Sequence, residues 1–240
     1  MNRRIAPLAA LLLIAAAAVP LAHAESMSAS SVLRRAEIGV EPVSTEVRQI
    51  ADWAVHSGDH ARVPFIIVDK VNARIVAFDA TGRLIRSAPV LLGMGIGDAF
   101  APGVTSLDMY ETKPWQRVTP AGRYHAEEGR NTQNERVLWV DYDNGIAIHK
   151  IPAKKTKQRR HERMQSANPA DHRITYGCVN VPVSFYDQVV RAHFRKGGIV
   201  YVLPEKAPLK AVFKSYDVDL PIARTQTSTG QPSSSSTRNF

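Results

Sequence analysis

The chain has 240 residues, 44% of them hydrophobic, a formal net charge of +9 and a single cysteine. That length suits one domain with a real core, and a lone cysteine excludes a disulfide-stapled scaffold. The basic balance points to an anionic partner.

Residues 1–24 read as a cleavable export signal. Arg3 and Arg4 supply a positive start, Ile5 to Val19 form an apolar run broken only by Pro7, and Ala22-His23-Ala24 is a small-x-small cleavage site. The run is shorter than the roughly 18 to 20 apolar residues of a membrane span. A mature chain from Glu25 with no transmembrane segment is therefore expected, and no cysteine follows the run to make a lipoprotein. Loss of Arg3 and Arg4 takes the net charge from +9 to +7. The expected location is the periplasm, where a cell-wall polymer or an anionic lipid surface fits the charge and nucleic acid does not.

Residues 25–61 form an N-terminal helical segment, polar and small up to Val43, with a short helix read around Ser31 to Ala36. The stretch STEVRQIADWAVHSG predicts a better helix. Ser44 can cap it, Val47, Ile50, Ala51, Ala54 and Val55 share an apolar face, and Gly58 can end it. It is expected to pack on the edge of the domain that follows.

Residues 62–206 read as the main domain. VPFIIVDK, ARIVAFDA and RLIRSAPVLLG predict a β-meander with tight polar turns, one of them at Thr81-Gly82. RVLWVDYDNGIAIHK predicts a hairpin around Asp143-Asn144-Gly145. Residues 150–173 then hold eight Lys or Arg against Glu162 and Asp171, so most of the excess charge lies in one segment. RITYGCVNV follows as a strand or tight loop. VSFYDQVVRAHFRKGG reads as a helix with Phe185, Val189, Val190 and Phe194 on one face, ended by Gly197-Gly198, and IVYVLP is one more strand. The whole is β-rich with a few helices, a sandwich or barrel. Residues 207–222 form a C-terminal extension, and the Ser/Thr-rich tail 223–240 lacks the apolar residues to fold.

In an oxidising compartment Cys178 is an inert buried residue, an intermolecular disulfide site, or a thiol kept for its chemistry. A cysteine nucleophile needs a base and backbone donors for the developing oxyanion. Gly177 permits a sharp turn, and the amides of Tyr176 to Cys178 are candidate donors. His149, which closes the apolar strand GIAIH, is the candidate base; the competing reading is a solvated strand-end histidine. His161 lies in the basic run and reads as solvent-facing, and the direction of His172 is not legible. The three histidines lack zinc-ligand spacing, so no metal site is expected.

The order His149, then Thr175-x-Gly177-Cys178-Val179-Asn180, resembles the signature of the L,D-transpeptidase (YkuD-like) family, a histidine followed by Ser/Thr-His-Gly-Cys-hydrophobic-Asn/Arg. The meander from Val63, the segment TPAGRY (Thr119 to Tyr124), the helix after Cys178 and the strand IVYVLP also resemble the family, from Val63 to Leu203. The resemblance implies an L,D-transpeptidase-like β-sandwich or barrel with one helix after the cysteine motif. It implies an enzyme that cuts a peptidoglycan stem peptide between the L-centre of a diamino acid and a terminal D-residue. Cys178 would carry the thioester, and an amine of a neighbouring stem or of an envelope protein would resolve it. His149 would be the general base, Thr175 would order the loop, and Asn180 would orient structure or substrate. No cofactor is implied, and acylation of Cys178 by carbapenems is.

Two features depart from the family pattern. Tyr176 stands where the family usually has histidine, and a phenol is no base at neutral pH. The spacer of 25 residues between His149 and Thr175 is longer than the family's. Its surplus, KKTKQRRHERMQ, reads as an inserted loop or short helix. It is either a solvated face or a lid whose Lys154, Lys155, Arg159 and Arg160, together with Arg173, grip substrate carboxylates. Other readings remain: water could resolve the thioester, giving a carboxypeptidase or endopeptidase, or the chain could be a non-catalytic wall-binding module. A papain-like protease fits less well, because there the cysteine precedes the histidine.

Overall fold

The computed structural model describes residues 33–104, 107–108, 111–153 and 156–219. The expected export signal and the Ser/Thr-rich tail lie outside the described residues.

The first well-formed element is α1 (Thr45–Ser57). Ser44 caps it by accepting the Val47 amide at 3.3 Å, and Gly58 ends it in the left-handed conformation at φ 76°. Upstream, residues 33–36 are not helical: Glu37 bridges Arg83 in parallel, and the Ala36 amide donates to Asp52 Oδ1 at 2.9 Å. The helix expected at Ser31 to Ala36 is therefore absent among its described residues, because this stretch runs as a strand-like edge against the turn before Arg83.

Strands β1 (Phe65–Asp69), β2 (Arg74–Phe78) and β3 (Leu84–Pro89) make the expected meander, followed by the short β4 (Leu92–Gly93). Then come β5 (Gly122–Arg130), β6 (Arg136–Asp141), β7 (Ile146–Lys150), β8 (Arg173–Thr175) and β9 (Val179–Val181). The basic segment between β7 and β8 carries α2 (Arg160–Gln165). After β9 a continuous helical run passes through α3 (Val183–Phe185), a π-helical turn (Tyr186–Val190) and α4 (Arg191–His193), with Gly197 stopping it at φ 80°. β10 (Gly198–Val202) and α5 (Leu209–Val212) complete the order.

Eight strands form one sheet in the order β3-β2-β1-β10-β5-β6-β7-β9, and β4 pairs with β8. β1 pairs parallel with β10, and β7 parallel with β9. The two ends of the sheet approach each other where Leu91 and Asn180 exchange both backbone hydrogen bonds, each 2.9 Å. A nearly closed barrel results, with Asn180 in its seam.

The central strands are buried on both faces, which is why they read as continuous apolar runs. Ile66, Val68, Ile75, Ala77, Val200 and Val202 face a core that includes Phe185, Val189, Val190 and Phe194 of the helical run. Phe65, Ile67, Val76, Phe78, Ile199 and Tyr201 face a second core built with Val47, Ile50, Ala54 and Val55 of α1. So α1 covers a sheet face and does not sit at the domain edge. The physical reason is the apolar alternate row of β1, β2 and β10, which would otherwise be exposed. Phe65 stacks on Phe78 with ring centroids 4.6 Å apart, and each such buried side chain contributes roughly 1.5–3 kcal/mol. Phe213, after α5, joins the same core.

β5 was not legible in the sequence. Of its nine residues only Ala126 is buried, yet it lies between β10 and β6. Its backbone pairing, not an apolar pattern, places it there.

Candidate active site

Cys178 is carried by the turn between β8 and β9. Gly177 in that turn has φ 128°, and an added Cβ would lie 2.7 Å from Ile146 Cδ1 and 2.9 Å from the Val118 carbonyl oxygen. Both the backbone conformation and the close approach therefore require glycine. Thr175 closes the turn: its hydroxyl accepts the Gly177 amide at 3.2 Å and donates to the Cys178 carbonyl at 2.6 Å. Thr119, fully buried ahead of β5, clamps the turn from the other side. Its hydroxyl donates to the Gly177 carbonyl at 2.8 Å and accepts the Gly93 amide at 3.0 Å.

His149 and Asn180 are register partners across β7 and β9. Cys178 ends the turn that leads into β9, two residues before Asn180. The side chains then form a chain of bonds with one consistent direction. Arg160 Nη1 donates to Asn180 Oδ1, Asn180 Nδ2 meets His149 Nε2 at 3.0 Å, and His149 Nδ1 meets the Lys150 carbonyl at 2.9 Å. A guanidinium can only donate, which fixes Oδ1 of Asn180 toward Arg160 and its amide nitrogen toward His149. His149 is thereby the tautomer with its proton on Nδ1 and its lone pair on Nε2.

The thiol of Cys178 donates to the Gly145 carbonyl at 3.3 Å, in the hairpin turn between β6 and β7. Burial pushes the thiol pKa up, against the Ala147 amide and the Arg160 charge, which pull it down. Beside it, the Arg117 guanidinium lies 3.9 Å above the Tyr176 ring and donates to the Thr112 carbonyl at 2.6 Å. Cys178 opens onto a cleft of about 130 Å³ lined by Phe100, Leu107, Arg117, Asn144 and Tyr176. A larger concavity of about 490 Å³ lies among Glu46, Asp69, Pro204 and Lys210, away from all of these residues.

The basic residues divide. Lys154 and Lys155 lie outside the described residues. Arg159 is exposed and pairs with Glu162. Arg160 is turned inward, only 4% exposed, with Nε on Gln158 Oε1 at 2.6 Å. Arg173 pairs with Glu205 and donates to the Lys70 carbonyl at 3.0 Å. It belongs to an internal ion cluster with Lys70 and Asp98. There, burial alone would raise the Asp98 carboxyl, but the Glu205, Ala207 and Lys206 amides and the Lys70 ammonium outweigh it and hold the carboxyl at about 2. His161 is exposed. His172 is buried, its ring nitrogens on the Val90 and Ser166 carbonyls at 2.8 and 3.0 Å, so it points into structure. Among the described residues no three His, Cys, Asp or Glu side chains are grouped to hold a metal ion, and no described helix is long and apolar enough to cross a membrane.

The sequence pattern brought out Cys178, His149, Gly177, Thr175 and Asn180; the fold holds Thr175, Gly177 and Cys178 in one turn and bonds His149 to Asn180. It did not bring out Thr119, Arg117 or the inward turn of Arg160. The Thr-Pro pair at Thr119 was visible without its role.

A family model of the L,D-transpeptidase catalytic domain (YkuD) matches residues 64–202. The chain belongs to this family. Among solved structures it is similar to the helical cell shape determining protein Pgp2 from Campylobacter jejuni, at 16% identity and a TM-score of 0.40, covering 60% of this chain and 49% of that one. It is also similar to the catalytic domain of the E. faecium L,D-transpeptidase, at 16% identity and a TM-score of 0.35, over 60% of this chain and 99% of that one. A third is the L,D-transpeptidase from Mycobacterium smegmatis, at 14% identity and a TM-score of 0.34, covering 58% of each chain. The chain thus spans about half the length of the first of these. A search of the curated proteins returns no match.

Proposed function

We propose that the protein is an exported L,D-transpeptidase of the cell wall that works through a thioester on Cys178. The observation that carries this reading is the parallel pairing of β7 with β9, which sets His149 opposite Asn180, two residues after Cys178, in a domain of this family. Substrate entering the cleft displaces the thiol from the Gly145 carbonyl. For Nε2 of His149 to take the thiol proton, its lone pair exchanges the Asn180 amide donor for the thiol. The sulfur attacks the carbonyl of the stem-peptide bond before the terminal D-residue, and the oxyanion is held by the Cys178 amide, because the Gly177 amide already serves Thr175. Collapse forms the thioester and expels the D-residue, which takes its proton from His149. An amine of a second stem, or of an envelope protein, then attacks the thioester and restores the thiol.

Export by residues 1–24 places the enzyme in the periplasm, beside its substrate. Of the basic segment, exposed Arg159, which pairs with Glu162, and the sequence neighbours Lys154 and Lys155 are the candidates to bind the polymer. Replacing these three with serine weakens binding to purified sacculi; unchanged binding makes the segment an ordinary solvated face.

The test is mass spectrometry of tetrapeptide muropeptides incubated with protein lacking residues 1–24, with Cys178→Ala beside it. Cross-linked dimers absent from the variant support transpeptidation. Tripeptides without dimers make the enzyme a carboxypeptidase, and cleavage of a cross-linked dimer supplied as a second substrate makes it an endopeptidase. Untouched substrate contradicts catalysis on stem peptides and favours a binding module.

A further inference from the structure

The basic segment brings one charge inside. Arg159, in the left-handed conformation at φ 49°, turns the chain into α2. Arg160 and Met164, four residues apart on one helix face, are both buried, and Met164 packs with Leu91 and Ile151. This anchor holds α2 against the barrel seam where Asn180 sits. The Arg160 guanidinium is satisfied by two neutral oxygens, Asn180 Oδ1 and Gln158 Oε1, and among the described residues no carboxylate pairs with it. A buried cation without an anion is strongly unfavourable unless something nearby supplies the charge.

We propose that Arg160 is a positioning residue for the reaction: it is the built-in counter-ion of the Cys178 thiolate, and through Asn180, whose amide nitrogen bonds His149 Nε2, it sets the orientation of the His149 ring. The proposal rests on Cys178 being the nucleophile. Among the described residues the charged group that acts on the thiol is Arg160 from α2, which also acts on Tyr176, the ring under Arg117. No described carboxylate is among them. Burial depresses the Arg160 guanidinium, and the charges of Cys178 and Tyr176 oppose that, which puts all three in one electrostatic neighbourhood. Where the sequence puts Tyr176 in the family's histidine position, the cation beside the thiol comes from the inserted segment.

The experiment reads the thiol directly, without any transpeptidase assay. The rate of Cys178 alkylation by iodoacetamide is followed against pH for the wild type, Arg160→Gln and Arg160→Lys, each checked for folding by circular dichroism. Removal of one opposite charge at close range slows alkylation at pH 7.5 about tenfold and moves the profile to higher pH. Arg160→Lys, which keeps the charge, stays nearer the wild type. A profile of Arg160→Gln that superimposes on the wild type, or equal shifts in both variants, overturns the proposal. A second pair covers the case in which Arg160→Gln does not fold. Cys178→Asp places a permanent anion beside Arg160 and melts higher at pH 7 than Cys178→Asn; equal melting temperatures overturn the proposal. Either result stands apart from the muropeptide assay, so failure of the charge pairing and failure of the proposed reaction are read separately.

Discussion

Replacing Thr119 by valine removes one hydroxyl and little volume, and two buried backbone groups lose their partner. The Gly93 amide loses its acceptor at 3.0 Å and the Gly177 carbonyl its donor at 2.8 Å. Thr119 is fully buried and Gly93 is buried, so water does not replace the bond to that amide. An unsatisfied buried group costs about 1–3 kcal/mol, less for a carbonyl than for an amide, which gives roughly 2–4 kcal/mol in all. For a domain of this size that corresponds to a fall in melting temperature of roughly 5 to 12 °C. Thermal unfolding followed by circular dichroism measures it. Thr119→Ser, which keeps the hydroxyl and loses a methyl, falls by about 1 kcal/mol. A Thr119→Val protein within about 0.5 kcal/mol of the wild type, or one no worse than Thr119→Ser, refutes the clamp.

Three further outcomes are expected. Gly177→Ala forces a side chain into a left-handed position against Ile146 and the Val118 carbonyl; it loses about 1–3 kcal/mol of stability in a denaturant titration and its muropeptide activity, and wild-type behaviour in both contradicts the turn. The Asp98 carboxyl is held at about 2, below its ordinary value of 3.8, so its stabilising effect is complete above pH 4 and is lost as the pH falls toward 2; Asp98→Asn flattens the fall of melting temperature across that window, and an unchanged slope refutes the assignment. A carbapenem increases the intact mass of the protein by one drug-derived acyl group, and the same increase in Cys178→Ala excludes Cys178 as the site.

Much of the fold was readable because its signals are local. Ser44 and Gly58 punctuate α1, and the two-faced apolar runs of β1, β2 and β10 announce buried strands. β5 was silent because its place comes from pairing with β10 and β6, and its exposed polar residues carry no period. The surface under α1 is not legible for a related reason: an amphipathic helix declares that it packs, not on which surface. At the site, the pattern around Cys178 gave the candidate nucleophile, the turn glycine and Asn180, since these are read from residue type and near spacing. Thr119 and Arg160 act across the fold, 58 and 20 positions from their partners Gly177 and Asn180. Nothing in a basic run distinguishes the one arginine that turns inward from those that face water.

The central claim is the covalent step at Cys178, and trapping it is the most direct measurement. The mature protein is mixed with a tetrapeptide stem, quenched in acid within seconds and analysed by intact mass and peptide mapping. The account predicts a tripeptidyl adduct on Cys178 that hydroxylamine removes, that an added amine acceptor consumes, and that Cys178→Ala lacks. Turnover of the stem with no adduct on Cys178, or turnover surviving in Cys178→Ala, would contradict it.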